Sequence, residues 1–301
     1  MTGISDRRVA VIGAGGLGHP AALSLAEAGV RVLLVDDDRV ELSNLQRQVL
    51  FGTGDVGRLK VEAARERLVA QVPRAVVDGI AARVAVETID GLLRRGGGVV
   101  DGVIDATDDP KVRFVLNDWA LAAGVPVVLG GIQRFQGMVL AVGGGFGPCF
   151  RCLFEELEGA PLTCAEGGVL GALAGVVGHL EAARMLAMLD GRAAEATGFV
   201  TTIDAQRARI RRVPLPERTA CRACGGLEAR LDITGERCPF TWVRTRLALE
   251  AARAGGLVEV LMREGEAARN VPRNARDEGH AVVCEGTVGE GRYRALIRKA
   301  A

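Results

Sequence analysis

The chain lacks a long apolar run. No stretch of about 18 or more apolar residues goes without a polar interruption, which argues against a membrane span. It lacks the apolar stretch of a secretory signal, since the N-terminus reads MTGISDRR. It lacks an excess of one charge: the formal net charge is +1, so neither nucleic acid nor an anionic membrane is expected as the main partner. Its arginines mix with acids on helical faces, the pattern of a solvated surface. It also lacks a disulfide framework. Of the 7 cysteines, Cys149, Cys152, Cys221 and Cys224 form two C-x-x-C pairs and the others stand alone, which reads as metal and thiol chemistry in a reducing compartment, the cytoplasm. What is there is 301 residues, 49% of them apolar, enough for two domains with a substantial core.

The rest of the chain is organised around residues 9–60. An apolar strand, VAVI, runs into Gly13-Ala14-Gly15-Gly16-Leu17-Gly18 and then a helix. Such a turn lets the backbone approach phosphates, and the helix N-terminus faces the anion. A second apolar strand, 30–35, ends at Asp36, about 20 residues on, where a carboxylate accepts from ribose hydroxyls. Alone, this pattern fits any dinucleotide enzyme. Asn44, Arg47 and Lys60 go further. They supply donors for a triphosphate beside the turn, a cluster for which a NAD-dependent oxidoreductase has no use. Further on, an apolar strand over 99–106 runs into Asp105-Ala106-Thr107-Asp108-Asp109. Carboxylates there sit at the C-terminal edge of a parallel sheet, where ligands bind, or they cap the helix from Lys111.

The run Asp36, Asp38, Val40, Ser43-Asn44-Leu45, Arg47-Gln48, followed by Lys60-Val61, resembles the ubiquitin-activating-like adenylyltransferases, the MoeB/ThiF/HesA family. The resemblance covers about residues 8–225. It implies a doubly wound, Rossmann-like α/β domain over 1–228 that binds ATP and Mg2+. Gly13, Gly15, Gly16 and Gly18 would take the nucleotide, Asp36 the ribose, and Asn44, Arg47, Gln48 and Lys60 the phosphates, with Asp108 on magnesium. Family members are commonly homodimers, and their longer N-terminal arm carries an arginine that reaches the neighbour's ATP. Here MTGISDR precedes Arg8, so another arginine substitutes, adenylation is slow, or the partner carrier completes the site.

The two C-x-x-C knuckles offer four thiolates, the tetrahedral set of a closed, structural Zn2+ site. Between them lies Cys164, just ahead of a long helix reaching about residue 189. Helix starts favour thiolates, and some relatives use a cysteine of this loop in acyl or sulfur transfer, so Cys164 reads either as a reactive thiol or as an inert loop cysteine. His179 is expected in the buried packing of that helix, and His19 at the start of the helix after Gly18.

From about residue 229 the character changes, and strands and helices in the order β-α-β-α-β-β are expected to 301 as a small two-layer α/β domain. Helix 240–254 and a short helix from near Pro272 belong to it, with Cys284 on a core strand. Leu231, Asp232, Gly235, Cys238 and Pro239 follow the L-D-x-x-G-x-x-C-P-x-P signature, and the segment resembles TusA-like sulfur carriers, whose cysteine bears a persulfide. Thr241 stands where that signature has its second proline. Pro239 suits the first turn of a helix, which puts Cys238 at the N-cap, where free N–H groups and Arg237 favour a thiolate.

Together the resemblances imply an enzyme that adenylates the C-terminal Gly-Gly carboxylate of a small ubiquitin-like sulfur-carrier protein and converts it to a thiocarboxylate. A cysteine desulfurase or rhodanese type of persulfide donor would load Cys238. The alternatives are an ATP-dependent activator of another carboxylate and a non-catalytic zinc-braced platform that docks a sulfur carrier.

Overall fold

The computed structural model describes residues 4–95, 98–143, 148–154, 168–215, 221, 223–224, 227–287 and 291–300. Strand β1 (Arg8–Ile12) sends Val9 and Val11 into one apolar core and Ala10 and Ile12 into another. A strand buried on both faces is the mark of a parallel sheet covered on both sides. Beside it lie β2 (Arg31–Val35) and β3 (Val77–Ile80) on one flank and β4 (Gly102–Asp105) and β5 (Val127–Gln133) on the other. These five run parallel in the order β3-β2-β1-β4-β5. The antiparallel β6 (Gln136–Val142), β7 (Phe199–Asp204) and β8 (Arg209–Pro214) extend the sheet beyond β5. The order reverses between β1 and β4, and a crevice opens there at the strand C-termini.

Helices α1 (Gly18–Glu27) and α2 (Lys60–Gln71) cover one face, and α3 (Ile89–Leu93) and α4 (Pro110–Ala123) cover the other. After the short α5 (Phe150–Leu153) comes α6 (Gly171–Leu189), then the brief α7 (Ala193–Ala196). Among the described helices, α6 has the length and apolar composition to cross a membrane. It packs instead on α1, β4, β5 and β6, burying Glu181 and Arg184 along with Leu173, Val177 and Met185.

A second sheet has the order β11-β12-β10-β9, built from β9 (Leu227–Asp232), β10 (Leu257–Arg263), β11 (Ala281–Thr287) and β12 (Arg292–Arg298). Helices α8 (Phe240–Ala251) and α9 (Glu266–Asp277) pack on it around Leu249, Val258, Val260 and Val271. The expected βαβαββ order holds. This unit meets the first where β11 lies against α4 and Arg294 Nη2 donates to the Gly124 carbonyl, 3.0 Å away.

Three local expectations are corrected. The helix expected from near Pro272 starts at Glu266 and takes Pro272 inside it. A mid-helix proline costs about 3 kcal/mol, and burial of Val271, Pro272 and Ala275 offsets it. Helix α8 starts after Pro239, which is itself the N-cap, so Cys238 stands one residue ahead of that position. His179 is exposed and hydrogen-bonds Ser24 Oγ at 2.8 Å.

Candidate functional site

The glycine turn follows directly from the end of β1. Gly13 has φ +94°, and a Cβ there would come within 2.8 Å of the Ala106 carbonyl, so the turn passes tight against the end of β4. Gly18 answers to packing: a Cβ on it would overlap the Gly13 carbonyl. Gly13, Gly15 and Gly16 line a cavity of about 880 Å³, and Gly18 does not. His19 Nδ1 contacts the Gly15 carbonyl at 2.9 Å, and burial holds its pKa down. The histidine sits at the helix start, as expected, and fastens the turn through that contact.

Asp36, at the end of β2, accepts from the backbone N–H of Ala14 at 2.7 Å and of Asp38 at 2.8 Å. Burial raises its pKa, while the Lys60 ammonium and those two N–H groups work the other way. Lys60 opens α2 with its side chain 8% exposed and Nζ 2.6 Å from Asp38 Oδ2. The segment leading there is fixed by Asp55, which is buried. Asp55 accepts from the Gly52 N–H at 2.9 Å and pairs with Arg67 at 2.8 Å and Arg58 at 3.2 Å, contacts that hold its pKa low.

Asn44, Arg47 and Gln48 come from the turn between β2 and α2, where the Asn44 carbonyl accepts from the N–H of both Arg47 and Gln48. All three line the cavity. Gln48 is 3% exposed, and its Oε1 has no hydrogen-bond partner among the described residues. A buried amide oxygen in that state marks a place where a ligand or solvent donor belongs.

Opposite, β4 ends at the fully buried Asp105, which accepts from the Thr107 N–H at 3.1 Å, the Thr107 hydroxyl at 2.7 Å and Arg113 Nε at 2.8 Å. Asp109 caps α4 by accepting from the Lys111 N–H at 2.9 Å. Asp108 is left out of the cap and faces the cavity. Neither Arg113 nor the Arg83–Asp109 pair, 3.6 Å apart, follows from the sequence motifs. The visible signal for Arg113 is its spacing, one helical turn beyond the Asp109 cap.

The far wall of the cavity is Gly131, Gln133 and Met138 of β5 and β6, with Phe150 and Phe154. Phe150 belongs to the first cysteine pair. The Sγ atoms of Cys149, Cys152, Cys221 and Cys224 lie within 4.8 Å of one another, with Cys149–Cys221 at 3.7 Å and Cys152–Cys224 at 3.3 Å. Four sulfurs about 2.3 Å from a tetrahedral centre stand about 3.8 Å apart, so the donor set fits that geometry. Hydrogen bonding from Cys224 lowers the Cys149 thiol to about 6, and the same contact pushes Cys224 up. Helix α4 holds the knuckle from behind: Asn117 Oδ1 accepts from the Phe150 N–H at 2.9 Å, and Asp118 pairs with Arg151 at 2.7 Å.

Cys238 is exposed and lies outside the cavity lining, which among the described residues ends at Thr202. It lies between α8 and β9, the edge strand of the small sheet opposite β11. Cys164 and the side chain of Cys284 fall outside the described residues.

Residues 1–223 match the ThiF family, and residues 229–299 match the family described as Sulfurtransferase TusA. Over 225 residues the chain is 41% identical to a sulfur carrier protein adenylyltransferase of Thermus thermophilus, covering 72% of this chain and 82% of that one. It is 38% identical over 224 residues to the molybdopterin-synthase adenylyltransferase of Escherichia coli, covering 74% and 88%. With the adenylyltransferase and sulfurtransferase MOCS3 of Sus scrofa it shares 39% over 226 residues, covering 74% and 49%. The crystal structure of E. coli MccB with ATP superposes with a TM-score of 0.64 at 20% identity, over 74% of this chain and 68% of that one, a likeness of fold.

Proposed function

Because this chain belongs to the ThiF family and carries a TusA domain behind it, we propose that it activates the C-terminal carboxylate of a small ubiquitin-like sulfur-carrier protein with ATP and sulfurates it. We propose a boundary between residues 228 and 229, near the start of β9 (Leu227–Asp232). The relatives named as sulfur-carrier and molybdopterin-synthase adenylyltransferases support the first step. The TusA domain and the MOCS3 name support the second.

The observation that carries the reading is a single cavity lined by Gly13, Gly15, Asp36, Asn44, Arg47, Gln48, Lys60 and Asp108. The glycine turn and the start of α1 face the phosphates. Asp36 holds the ribose. Arg47 and Lys60 stabilise charge that builds on the phosphates as the carrier carboxylate attacks the α-phosphorus and pyrophosphate leaves. Asp108 would hold Mg2+, which when bound neutralises phosphate charge. The wall of Gln133, Met138 and Phe150 is left for the carrier tail.

The outer sulfur of a Cys238 persulfide then attacks the acyl carbon and AMP leaves. A thiol reduces the resulting acyl disulfide and frees the thiocarboxylate. The small domain touches α4 at Gly124, 14 residues and about 20 Å from Pro110 at the cavity. Cys238 is outside the cavity lining, and we propose that transfer takes the domain off α4 or to a partner's cavity. We expect a homodimer, consistent with the exposed Leu42, Val49 and Leu170. The four-cysteine cluster would hold Zn2+ as a brace, and the cytoplasm is the expected setting.

The test is mass spectrometry of a carrier ending in Gly-Gly after incubation with ATP, Mg2+, a persulfide donor and a reducing thiol. One sulfur replacing one oxygen in the wild type, and no replacement in Cys238→Ala, is the expected result. The same replacement in both would remove Cys238 from the pathway. No adenylate with any Gly-Gly carrier would overturn the activation step.

A further inference from the structure

Thr241, in the first turn of α8, comes three residues after Cys238 and faces it from the helix start. Cys238 Sγ lies 3.4 Å from Thr241 Oγ1, and Asn270 Nδ2, reaching over from α9, lies 3.9 Å from the same sulfur. The two neighbours differ in setting. Thr241 is 1% exposed, whereas Cys238 is open to solvent. The Thr241 carbonyl is engaged by the Thr245 hydroxyl at 2.8 Å, and the Cys238 sulfur is the partner of its own hydroxyl among the described residues. A buried polar group thus reaches its single partner at the surface, beneath an atom whose outer side is free to meet another molecule.

We propose that Thr241, with Asn270, is a positioning residue for sulfane-sulfur exchange at Cys238, donating hydrogen bonds to Sγ when that sulfur carries negative charge. The inference rests on the reading of Cys238 as the sulfur carrier. In exchange with a thiol, an acceptor thiolate attacks the outer sulfur of the Cys238 persulfide. The bond between the two sulfurs breaks, its electron pair stays on Sγ, and Cys238 departs as a thiolate while the acceptor becomes the persulfide. No oxidant or reductant enters. Loading from a persulfide donor is the same step reversed and passes through the same thiolate.

Hydrogen bonds to an ionised group are stronger than those to a neutral one. The two donors therefore stabilise the departing thiolate more than the persulfide it leaves. A proline at position 241 would bring ring carbons and no donor to this spot. The threonine makes this cysteine a quicker giver of sulfur to thiol acceptors.

The experiment loads the full-length protein with glutathione persulfide and follows loss of sulfur to excess glutathione. Trapped samples are read at the Cys238 peptide by mass spectrometry. Thr241→Val is expected to slow the loss about 5-fold, the scale of one hydrogen bond, and Asn270→Ala about 2-fold. Thr241→Ser, which keeps the hydroxyl, should return to within about 2-fold of wild type. A Thr241→Val rate equal to wild type, or a Thr241→Ser rate as slow as Thr241→Val, would overturn the inference and leave the sulfur-carrier reading standing. Absence of sulfur on wild-type Cys238 would overturn both. If Thr241→Val fails to fold by circular dichroism, Asn270→Ala decides: an unchanged rate counts against the cradle and a slowed one supports it.

Discussion

Arg113 Nε stands 2.8 Å from Asp105 Oδ2, with the Asp105 side chain fully buried and that of Arg113 11% exposed. The pair holds the Thr107 loop, and with it Asp108, at the mouth of the cavity. Arg113→Ala would leave a carboxylate buried without its cation, a loss of about 3–5 kcal/mol. At about 2–4 °C per kcal/mol for a chain of this size, the melting temperature should fall by roughly 10 °C. Calorimetry decides it, and an unshifted transition would mean that other contacts hold the loop.

Lys60 is buried at the cavity, paired with Asp38 at 2.6 Å and within Coulombic reach of the Asp36 carboxylate. In Lys60→Met, ATP–pyrophosphate exchange with an activated carrier should drop about 100-fold or more, the scale of losing one preorganised charge-stabilising group. Exchange within a few-fold of wild type would remove this lysine from the phosphate site.

Protein purified without chelator is expected to hold one zinc per chain by elemental mass spectrometry. Cys149→Ser and Cys221→Ser should each lose most of it and melt at lower temperature. Phe150 lies in the same knuckle and lines the cavity, so affinity for ATP should weaken in both variants. A wild-type metal content below half a zinc per chain would end the assignment.

Two buried carboxyls set opposite pH slopes on stability. Burial raises the pKa of Glu181, with the Asp105 charge adding to it and Arg113 and the Gly130 backbone opposing it. Its contribution is intact below the unfolded-state pKa and is lost as pH climbs toward the folded-state value. Glu181→Gln should therefore gain melting temperature over wild type as pH goes from 5 to 8. Asp55 is held low by the Gly52 N–H, Arg67 and Arg58, so its contribution is present at neutral pH and lost as pH falls. The deficit of Asp55→Asn should shrink on acidification. Parallel shifts at all pH values would contradict both assignments.

The side of the cavity that carries the glycine turn was legible because its residues cluster in sequence: the glycine turn, Asp36 and the Asn44–Gln48 segment follow one another from the end of β1 to the turn before α2. The two C-x-x-C pairs were legible through spacing, although 72 residues separate Cys149 from Cys221. Glu181 was not, because it sits in an apolar helix and its significance comes from Gly130 and Asp105 across the sheet. Arg113 looked like one more helix arginine until the fold set it on a strand end. Pro272 hid most of α9, since a local breaker is outvoted there by packing that only the assembled sheet supplies. Gly18 read as a ligand contact, and its real constraint is the approach of its own turn.

Helix α4 works as a spacer bar of fixed length. Pro110 borders the cavity at one end, Asn117 and Asp118 grip the cysteine knuckle midway, and just past the other end Gly124 receives Arg294 of the small domain. These fittings share one angular phase. Adding a single residue between Val112 and Asn117 would turn everything downstream by about 100° and advance it about 1.5 Å. The knuckle and the small domain would fall out of step with the cavity together, so these parts are free to drift in sequence only as a set.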